Sequence, residues 1–246
     1  MKKISSAQNE EIKHLINLQK RSYREEQGQF IVEGTRACTQ LLQSYKAVAF
    51  YMTPHYFEFQ NIDIATDSIT IVSQAIMNKI SSTKTPSGIC AIFTIPESKP
   101  LPTSGPGLIL IETSDPGNMG TLIRTAAAMN VKEVILVGGV DPYNPKVIQS
   151  TAGCLTNVNI YQVTFEQLVA QKILEMCALV VKNGRLPNQI NLKNKFLVVG
   201  NESHGLSNEQ IAACNEKLTI PMPGQAESLN AAIAGSIGLY LMTLQN

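Results

Sequence analysis

The sequence of 246 residues is poor in the side chains that usually form metal sites and disulfides. It has no tryptophan, three histidines and five cysteines, which are Cys38, Cys90, Cys154, Cys177 and Cys214. None of the cysteines forms a Cys-x-x-Cys pair or stands near a histidine at metal-ligand spacing, and their odd number argues against a complete disulfide framework. We therefore predict reduced cysteines and no metal site.

Long apolar runs are also missing. The first residues, MKKISSAQNEEIKHL, lack the apolar stretch of a signal peptide. Although 44% of the residues are hydrophobic, no segment approaches the roughly 20 consecutive apolar residues of a membrane span. We expect a cytoplasmic protein with no membrane partner.

The chain lacks the strong positive charge of many nucleic-acid-binding proteins, since 20 basic residues stand against 19 acidic ones. Residues 1–46 carry a modest excess of eight basic over five acidic residues. This excess indicates either solvated helix faces or a weak RNA-binding surface. The basic side chains that would form such a surface include Lys13, Lys20, Arg21, Arg24 and Arg36.

Several catalytic motifs are absent. The sequence contains neither the G-x-G-x-x-G dinucleotide fingerprint nor the G-x-x-x-x-G-K-[ST] phosphate loop. It also contains neither the zinc-binding H-E-x-x-H nor the nucleophile elbow G-x-S-x-G. The reaction chemistry therefore has to be sought in other patterns.

A proline-rich segment divides the chain. Prolines at 96, 100, 102 and 106 oppose regular structure because proline has no amide donor and restricts its neighbour. We predict a linker at 96–106 between a domain at 1–95 and a domain at 107–246.

The first domain is predicted to be a small α/β unit. In AQNEEIKHLINLQ, the residues Ile12, Leu15, Ile16 and Leu18 fall on one side of a helix. FIVEG, AVAFYM and GICAIFTI are predicted strands, and TRACTQLLQS and SQAIMNKIS are predicted helices.

The second domain is predicted to be a doubly wound α/β domain. Its short apolar runs GLILIET, EVILVGG, CALVVK, KFLVVG and KLTIPM are typical of strands buried on both faces of a parallel sheet. Helical patterns alternate with these strands, at 118–130, about 144–152, 165–175, 207–214 and 228–244. Ligands of such sheets bind at the carboxyl ends of the strands.

The first strand-end loop precedes the helix at 118–130. Asn118 is predicted to cap this helix, and Gly120 opens space one turn before Arg124. The guanidinium of Arg124 would then face the site and suit phosphate recognition. The alternative is that Arg124 pairs with a surface carboxylate.

The second loop, GNESHG, follows the predicted strand 196–199. Ser207 and Gln210 form a predicted capping box for the next helix. Glu202 is either a hydrogen-bond acceptor within the site or an exposed turn residue. His204 is interpreted as structural, because no titratable partner for it is evident in the sequence.

The third loop follows a strand predicted at 218–222. It contains the turn Pro221-Met222-Pro223-Gly224, whose prolines would hold backbone amides and carbonyls in place, and Ser228 is predicted to cap the last helix. That helix has a side of small residues, which indicates either a subunit interface or tight packing within one chain. These are Ala231, Ala234, Gly235 and Gly238.

The three loops together resemble a known family. NMGTLIRTA, VVGNESHGLS and IPMPGQAESLNAAIAGSI resemble the three ordered motifs of the SpoU (TrmH-like) RNA 2′-O-ribose methyltransferases of the SPOUT superfamily. DPYNPKVIQSTAG is similar to the segment between the first two motifs. Residues 5–95 resemble the family's N-terminal substrate-binding domain, a small ribosomal-protein-like α/β fold.

The resemblance implies a C-terminal α/β domain with a trefoil knot and a parallel sheet, which forms a homodimer. It also implies S-adenosylmethionine as methyl donor, RNA as substrate and no metal. Ribosomal RNA is preferred because of the N-terminal domain. A tRNA ribose methyltransferase and a catalytically inactive RNA-binding module are the alternatives. A dehydrogenase is disfavoured by the missing glycine fingerprint.

The resemblance also assigns residues. The implied catalytic residues are Arg124, Asn118, Glu202, Ser228 and Asn230. Arg124 would act on the ribose 2′-hydroxyl, which needs an unusual environment because the pKa of a free arginine exceeds about 12. The implied cofactor-binding residues are Thr113, Gly200, Asn201, Glu202, Gly205, Ile220, Pro221, Met222, Ser228 and Leu229.

Some positions depart from the family pattern. Gln149 and Thr156 stand where the family often has arginine, aromatic or other basic residues, and Asn130 replaces a usual glycine. These differences concern RNA affinity and the choice of RNA, and they leave the predicted fold unchanged.

Overall fold

A computed structural model describes residues 2–59, 64–65 and 68–245. In chain order the strands are β1 (Lys2–Ile4), β2 (Gln29–Glu33), β3 (Ala47–Met52), β4 (Ile69–Val72), β5 (Ile89–Thr94), β6 (Gly107–Ile111), β7 (Glu133–Val137), β8 (Asn159–Val163), β9 (Met176–Leu179), β10 (Phe196–Val199) and β11 (Glu216–Leu218). The α-helices are α1 (Glu10–Asn17), α2 (Arg21–Gln27), α3 (Thr35–Leu41), α4 (Pro54–Phe59), α5 (Gln74–Ile80), α6 (Pro116–Ala128), α7 (Pro145–Thr151), α8 (Phe165–Ala170), α9 (Asn208–Ala212) and α10 (Ala231–Thr243).

These elements form two compact units. The N-terminal unit contains the chain up to Glu97 together with Asp141–Thr156, and the C-terminal unit contains Ser98–Val140 and the residues from Asn157 onwards. The segment that carries α7 therefore packs within the N-terminal unit, although it interrupts the sequence of the C-terminal unit.

The N-terminal unit is built on a mixed sheet with the order β1-β4-β3-β5-β2. Strands β1 and β3 run parallel to β4, whereas β5 runs antiparallel to both β2 and β3. Helix α1 buries Ile12, Leu15 and the adjoining Leu18 completely, as the helical pattern predicts, while Ile16 is half-buried at the edge of the same core.

The C-terminal unit contains a six-stranded, all-parallel sheet with the order β11-β9-β10-β6-β7-β8. Every residue of the central strands β6 and β10 is buried. This confirms the parallel α/β fold predicted from continuous apolar runs, because such runs suit strands covered on both faces. The first loop follows the central strand β6, and the second loop follows the central strand β10.

Three strands were not predicted from the sequence: β1, the interior strand β4 and β8. β1 and β8 lie at sheet edges and mix polar with apolar residues, so they lack the continuous apolar signal of the central strands. The last strand was predicted at 218–222, but β11 ends at Leu218. Pro221 and Pro223 have no amide hydrogen for the ladder, and the residues after β11 lead irregularly to α10.

Two predicted helix caps are wrong. Helix α6 begins at Pro116, and its cap is Asp115, whose Oδ1 accepts from the amide of Asn118 at 2.7 Å. Proline suits the first helical position, which favours this start. Helix α10 is capped by Asn230 and not by Ser228, since Asn230 Oδ1 accepts from the amides of Ala232 and Ile233 at 2.9 and 3.2 Å. Because Asp115 and not Asn118 caps α6, the side chain of Asn118 is free for other contacts.

Arg24 was predicted among the basic residues that contact RNA, but its side chain is only 1% exposed. Its Nε and Nη2 donate to Asp141 Oδ2 at 2.8 and 2.5 Å, and Nη1 donates to the carbonyls of Leu18 and Gln19 at 2.8 and 2.9 Å. The carboxylate of Asp141 lies far away in the sequence, so the composition of the N-terminal segment could not reveal this role. Arg24 anchors Asp141 in the core of the N-terminal unit.

Candidate functional site

The loops after β6 and β10 are joined through one carboxylate. Glu202 Oε2 accepts from the amide and the hydroxyl of Ser114 at 3.0 and 2.8 Å. Its Oε1 accepts from the amide of Asp115 at 3.2 Å and from Asn118 Nδ2 at 3.0 Å. Glu202 is therefore a bound acceptor within the site and not a free turn residue, which decides between the two readings of the sequence.

Asn118 extends this network to the start of the last helix. Its side-chain oxygen Oδ1 accepts from Asn230 Nδ2 at 3.2 Å, while its Nδ2 donates to Glu202. Asn201 adds a second link, because its Nδ2 donates to the carbonyl of Glu112 at 2.8 Å. Three segments that are far apart in the sequence are thus held together at the carboxyl ends of central strands.

The network changes the acidity of Glu202. Partial burial alone would raise the pKa of this carboxyl group. Hydrogen bonds from the Ser114 amide, the Asn118 side chain and the Ser114 hydroxyl stabilise the charged form and together lower the pKa to about 2. Glu202 is therefore ionised at neutral pH and acts only as an acceptor.

The turn that carries Glu202 depends on two glycines. Asn201 and Gly205 exchange backbone hydrogen bonds at 3.2 and 3.0 Å, and Gly205 has a φ of +68°. A Cβ atom on Gly200 would lie 2.5 Å from the carbonyl carbon of Gly205, so a side chain there would force the turn apart. The predicted capping box of Ser207 and Gln210 is confirmed at the start of α9.

A cavity of about 310 Å³ lies beside this turn, at the lower end of the range of small-molecule pockets, about 300–1,000 Å³. It is formed by the ends of β9 and β10, the Glu202 turn, the segment after β11 and the first turn of α10. The predicted residues that line it are Gly200, Asn201, Glu202, Gly205, Ile220, Met222, Ser228 and Leu229.

The other predicted site residues do not line this cavity. Pro221 is exposed and lines a neighbouring hollow that shares Ile220, Met222 and Ser228 with the cavity. Thr113 is 2% exposed, does not line the cavity, and its Oγ1 has no hydrogen-bond partner among the described residues. Asn118, Arg124 and Asn230 also lie outside the lining, the two asparagines within the network described above.

Sequence reasoning missed part of the cavity wall. Val180 and Val181 follow β9, and Ser203 and His204 complete the turn that was already singled out. The run CALVVK could have revealed the valines, because the carboxyl end of β9 meets the same edge as the strands that were considered. His204 is exposed, and its Nε2 lies 3.8 Å from Glu112 Oε2.

Arg124 lies on the exposed side of α6. Its guanidinium makes no hydrogen bond or ion pair with any residue that the structure describes, so the alternative of a surface ion pair finds no partner within this chain. The next residue, Thr125, shares a hydrogen bond of 3.1 Å with Ser236 of α10. Arg124 therefore presents its donors beside the packed pair of helices α6 and α10.

The glycines of α10 serve packing within the chain. A Cβ atom on Gly235 would lie 2.5 Å from Leu122 Cδ2, and one on Gly238 would lie 2.6 Å from Leu197 Cδ2. Of the two alternatives for this small-residue side, tight packing within one chain therefore applies to these two residues. A different side of α10 is apolar and exposed, at Ile233, Tyr240 and Leu244.

Within residues 2–59, 64–65 and 68–245, His, Cys, Asp and Glu side chains form no cluster of three or more that could hold a metal ion. The five cysteines are free thiols. The helices of this part of the chain are too short or too polar to cross a membrane.

Comparisons with known proteins assign both parts of the sequence. Residues 106–240 match the SpoU rRNA Methylase family, and residues 9–91 match the MRM3-like substrate binding domain. The first match contains all three loops of the candidate site.

Two relatives and one solved structure match the chain over almost their whole length. The chain is 30% identical to the 23S rRNA (guanosine(2553)-2′-O)-methyltransferase RlmP of Bacillus subtilis, over 98% of each chain. It is 31% identical to an uncharacterized tRNA/rRNA methyltransferase of Synechocystis, over 96% of this chain and 92% of that protein. The crystal structure of an AdoMet-bound rRNA methyltransferase from Sinorhizobium meliloti matches with a TM-score of 0.85 and 25% identity, over 98% and 97% of the two chains.

Proposed function

Because the chain belongs to the SpoU rRNA Methylase family, we propose that it transfers a methyl group from S-adenosylmethionine to a ribose 2′-hydroxyl of ribosomal RNA. The observation that carries this proposal is the Glu202–Asn118–Asn230 network, which holds three strand-end segments beside a ligand-sized cavity. The Bacillus subtilis relative RlmP, a 23S rRNA guanosine 2′-O-methyltransferase, matches 98% of the chain.

The cavity fits S-adenosylmethionine in size and in chemistry. Val180, Val181, Ile220 and Leu229 offer apolar surface for a purine ring, and Gly200 and Gly205 line the cavity with backbone alone because they carry no side chain. When bound, S-adenosylmethionine supplies an electrophilic methyl group on a positively charged sulfur. Asn201 and Met222, which also line the cavity, complete the set of residues that we assign to cofactor binding.

The residues of the network position the site. Glu202 accepts from Asn118, Asn118 accepts from Asn230, and Asn230 in turn caps α10, so these hydrogen bonds connect the loops in the geometry that the reaction needs. Ser228 lines the cavity between the third loop and α10 and is assigned a polar contact there. We assign Glu202, Asn118 and Asn230 to positioning, because their hydrogen-bond groups are engaged within the network.

Arg124 is assigned to the RNA. Its guanidinium is exposed and has no partner among the described residues, so its planar set of donors can bind a phosphate and the 2′-oxygen together. A positive charge beside the hydroxyl favours the developing alkoxide as the proton leaves, which is an electrostatic contribution to the transition state. This role does not require Arg124 itself to lose a proton.

We propose that residues 1–95 form an RNA substrate-binding domain of ribosomal-protein-like type, that 96–106 is the linker and that 107–246 is the methyltransferase domain. The match of residues 9–91 to a substrate-binding domain supports this division. The exposed cations Lys13, Lys20, Arg21 and Arg36 remain candidates for RNA contact, whereas Arg24 does not.

We also propose a trefoil knot in the C-terminal domain and a cytoplasmic homodimer formed through it. The proposal of the knot rests on membership of the SpoU family. The dimer is supported by an apolar stripe on α10, in which Ile233, Ile237, Tyr240 and Leu244 recur every three or four residues with surface left exposed. A second copy of the chain would cover this stripe.

Mapping 2′-O-methyl groups tests the proposed function. The 2′-O-methyl positions of ribosomal and transfer RNA are compared between cells that contain the protein and cells in which its gene is deleted. The proposal expects one ribosomal RNA position to lose its methyl group and to regain it when the intact gene is restored. Loss at a tRNA position would instead support the tRNA alternative, and unchanged maps would contradict the proposal.

A further inference from the structure

A second cavity lies entirely within the N-terminal unit and shares no lining residue with the candidate site. It measures about 190 Å³ and is bounded by the end of β2, the loop before β5 and helix α7. This volume is below the range of about 300–1,000 Å³ for drug-sized ligands. The cavity therefore suits a single planar group, such as one nucleobase, better than a whole cofactor.

The lining combines apolar walls with polar edges. Ile31, Pro145 and Ile148 are buried apolar residues that could contact the faces of a ring. The loop before β5 supplies hydroxyl groups, and β2 supplies the carboxylate of Glu33. The hydroxyl residues are Ser82, Thr83, Thr85 and Ser87.

Glu33 is the charged group of this cavity, and its orientation is fixed. Its Oε2 accepts from Ser81 Oγ at 2.6 Å, and its Oε1 accepts from the amide of Ser82 at 2.6 Å. Each carboxylate oxygen can accept a further hydrogen bond, because it has two lone pairs. Glu33 can thus receive two neighbouring N–H groups from a ligand while it stays bound to its loop.

Two neighbouring N–H donors on one edge distinguish guanine from the other RNA bases. Guanine presents N1–H beside its N2 amino group, whereas adenine and cytosine place an acceptor beside their amino group and uracil has only N3–H. Proteins that read RNA sequence hydrogen-bond to such edges of unpaired bases in single-stranded segments. A fixed carboxylate in a base-sized cavity matches the guanine edge.

Three basic residues stand next to lining residues in the sequence. Arg36 follows Gly34 by two positions, Lys84 lies between Thr83 and Thr85, and Lys146 follows Pro145. All three are exposed, and their side chains make no hydrogen bond or ion pair with any described residue. Such side chains are suited to the phosphates that flank a bound nucleotide.

We propose that this cavity binds an unpaired guanine base of the RNA substrate, with Glu33 accepting from N1–H and the N2 amino group. The proposal rests on the proposed function for the statement that RNA is the substrate. It adds a site of base recognition within the N-terminal unit, to which Gln149 of α7 contributes as a lining residue.

Binding of short single-stranded oligonucleotides to the full-length protein tests this site. A uridine oligonucleotide is compared with versions that carry one central guanosine, inosine, 1-methylguanosine or adenosine. We expect guanosine to bind about 5- to 100-fold more tightly than uridine alone. Inosine, which lacks the amino group, should fall between them, and 1-methylguanosine and adenosine should bind like uridine. Equal affinity for all five oligonucleotides would overturn the proposal without involving any variant.

Two variants assign the preference to Glu33. Glu33→Gln should lose the preference for guanosine, whereas Glu26→Gln, an equal charge change at an exposed residue of the same unit outside the cavity, should keep it. Hydrogen exchange of the amides of β2 and β5 should be unchanged in both variants, which shows that the N-terminal unit is folded. Retained preference in Glu33→Gln would contradict the assignment.

The outcome also separates this proposal from the proposed function. If the wild-type protein methylates ribosomal RNA but binds all five oligonucleotides alike, only the guanine site is refuted. If it prefers guanosine but transfers no methyl group to any RNA, the site stands as an RNA-binding site and the proposed reaction fails.

Discussion

Arg24 and Arg124 are the same side chain in opposite environments. Arg24, in the N-terminal unit, is 1% exposed and makes four hydrogen bonds, two of them to the carboxylate of Asp141. Arg124, in the C-terminal unit, is exposed and makes no hydrogen bond or ion pair with the described residues. The first guanidinium has its donors engaged inside the protein, and the second has them free for a ligand.

The contrast shows how a charged residue can be assigned to structure or to reaction. A buried charge persists only when its partners satisfy it, so Arg24 is committed to holding Asp141 in place. Arg124 contributes nothing comparable to folding and stands on the helix that carries Asn118 of the network. We therefore expect a change at Arg24 to affect stability and a change at Arg124 to affect the reaction rate.

The largest expected effect is on stability, at Arg24. Arg24→Met should lower the free energy of unfolding of the N-terminal unit by about 3–5 kcal/mol, because it leaves the carboxylate of Asp141 buried without its partner. Hydrogen exchange of the amides of β2 and β5 measures this loss. Arg21→Met is the matched control, since the exposed pair of Arg21 with Glu25 should contribute at most about 1 kcal/mol.

A double variant sharpens this result. Replacing both partners, as Arg24→Met with Asp141→Leu, removes the unpaired charge and should recover part of the stability, although the amide of Tyr143 and the carbonyls of Leu18 and Gln19 lose their side-chain partners. A loss below about 1 kcal/mol for Arg24→Met alone would show that the buried pair does not hold Asp141 as described.

The next effect is on the reaction, at Arg124. Arg124→Ala should lower the rate of methyl transfer by about 100- to 1,000-fold, because a donor to the developing charge is lost. Affinity for S-adenosylmethionine should stay within a few-fold, since Arg124 does not line the cavity. Stability should change by no more than about 0.5 kcal/mol, as for an exposed residue. Rate, affinity and unfolding measurements on one preparation check all three.

Two further variants show whether the effect of Arg124→Ala is specific to the guanidinium at this position. Arg124→Lys should be almost as slow, because an ammonium group lacks the planar fork of donors. Arg185→Ala removes an exposed arginine from the same unit and should methylate RNA normally. An Arg124→Ala protein with a near-normal rate would remove Arg124 from the reaction.

The smallest effect concerns pH and lies at Glu202. The pKa of Glu202 is about 2 in the folded protein, below its ordinary value in an unfolded chain, about 4.3. Its contribution to stability is therefore complete above the unfolded value and is lost as the pH falls towards 2. In Glu202→Gln the unfolding free energy should decline less steeply between about pH 5 and pH 2, whereas Glu97→Gln, at an exposed carboxyl group, should follow the wild type. Identical slopes for Glu202→Gln and wild type would contradict the hydrogen-bond network.

The sequence predicts the central part of the fold because continuous apolar runs mark the buried parallel strands. It does not predict the edge strands β1 and β8, whose polar residues face solvent at the sheet margins. The caps at Asp115 and Asn230 were missed because the nearby residues Asn118 and Ser228 are also of types that cap helices. Only the structure shows at which residue each helix begins, and this decides which side chain is the cap.

The site was predictable as a set of segments but not as a set of bonds. Because ligands of parallel sheets bind at the carboxyl ends of the strands, Asn118, Glu202 and Asn230 could be predicted to lie at one edge of the sheet. Which side chain donates a hydrogen bond to which is shown only by the structure. The burial of Arg24 was not predictable at all, because its partner lies 117 positions later in the chain. Local charge counts cannot detect such a pair.

The most direct test of the proposed function follows the transferred methyl group itself. The purified protein is incubated with S-adenosylmethionine labelled in its methyl group and with ribosomal RNA that lacks the modification. The RNA is then hydrolysed in alkali. A methyl group on the ribose 2′-oxygen removes the hydroxyl that alkali needs for cleavage, so the account predicts label in an alkali-resistant dinucleotide. Label in ordinary mononucleotides, which would place the methyl group on a base, or no label in RNA despite bound cofactor, would contradict it.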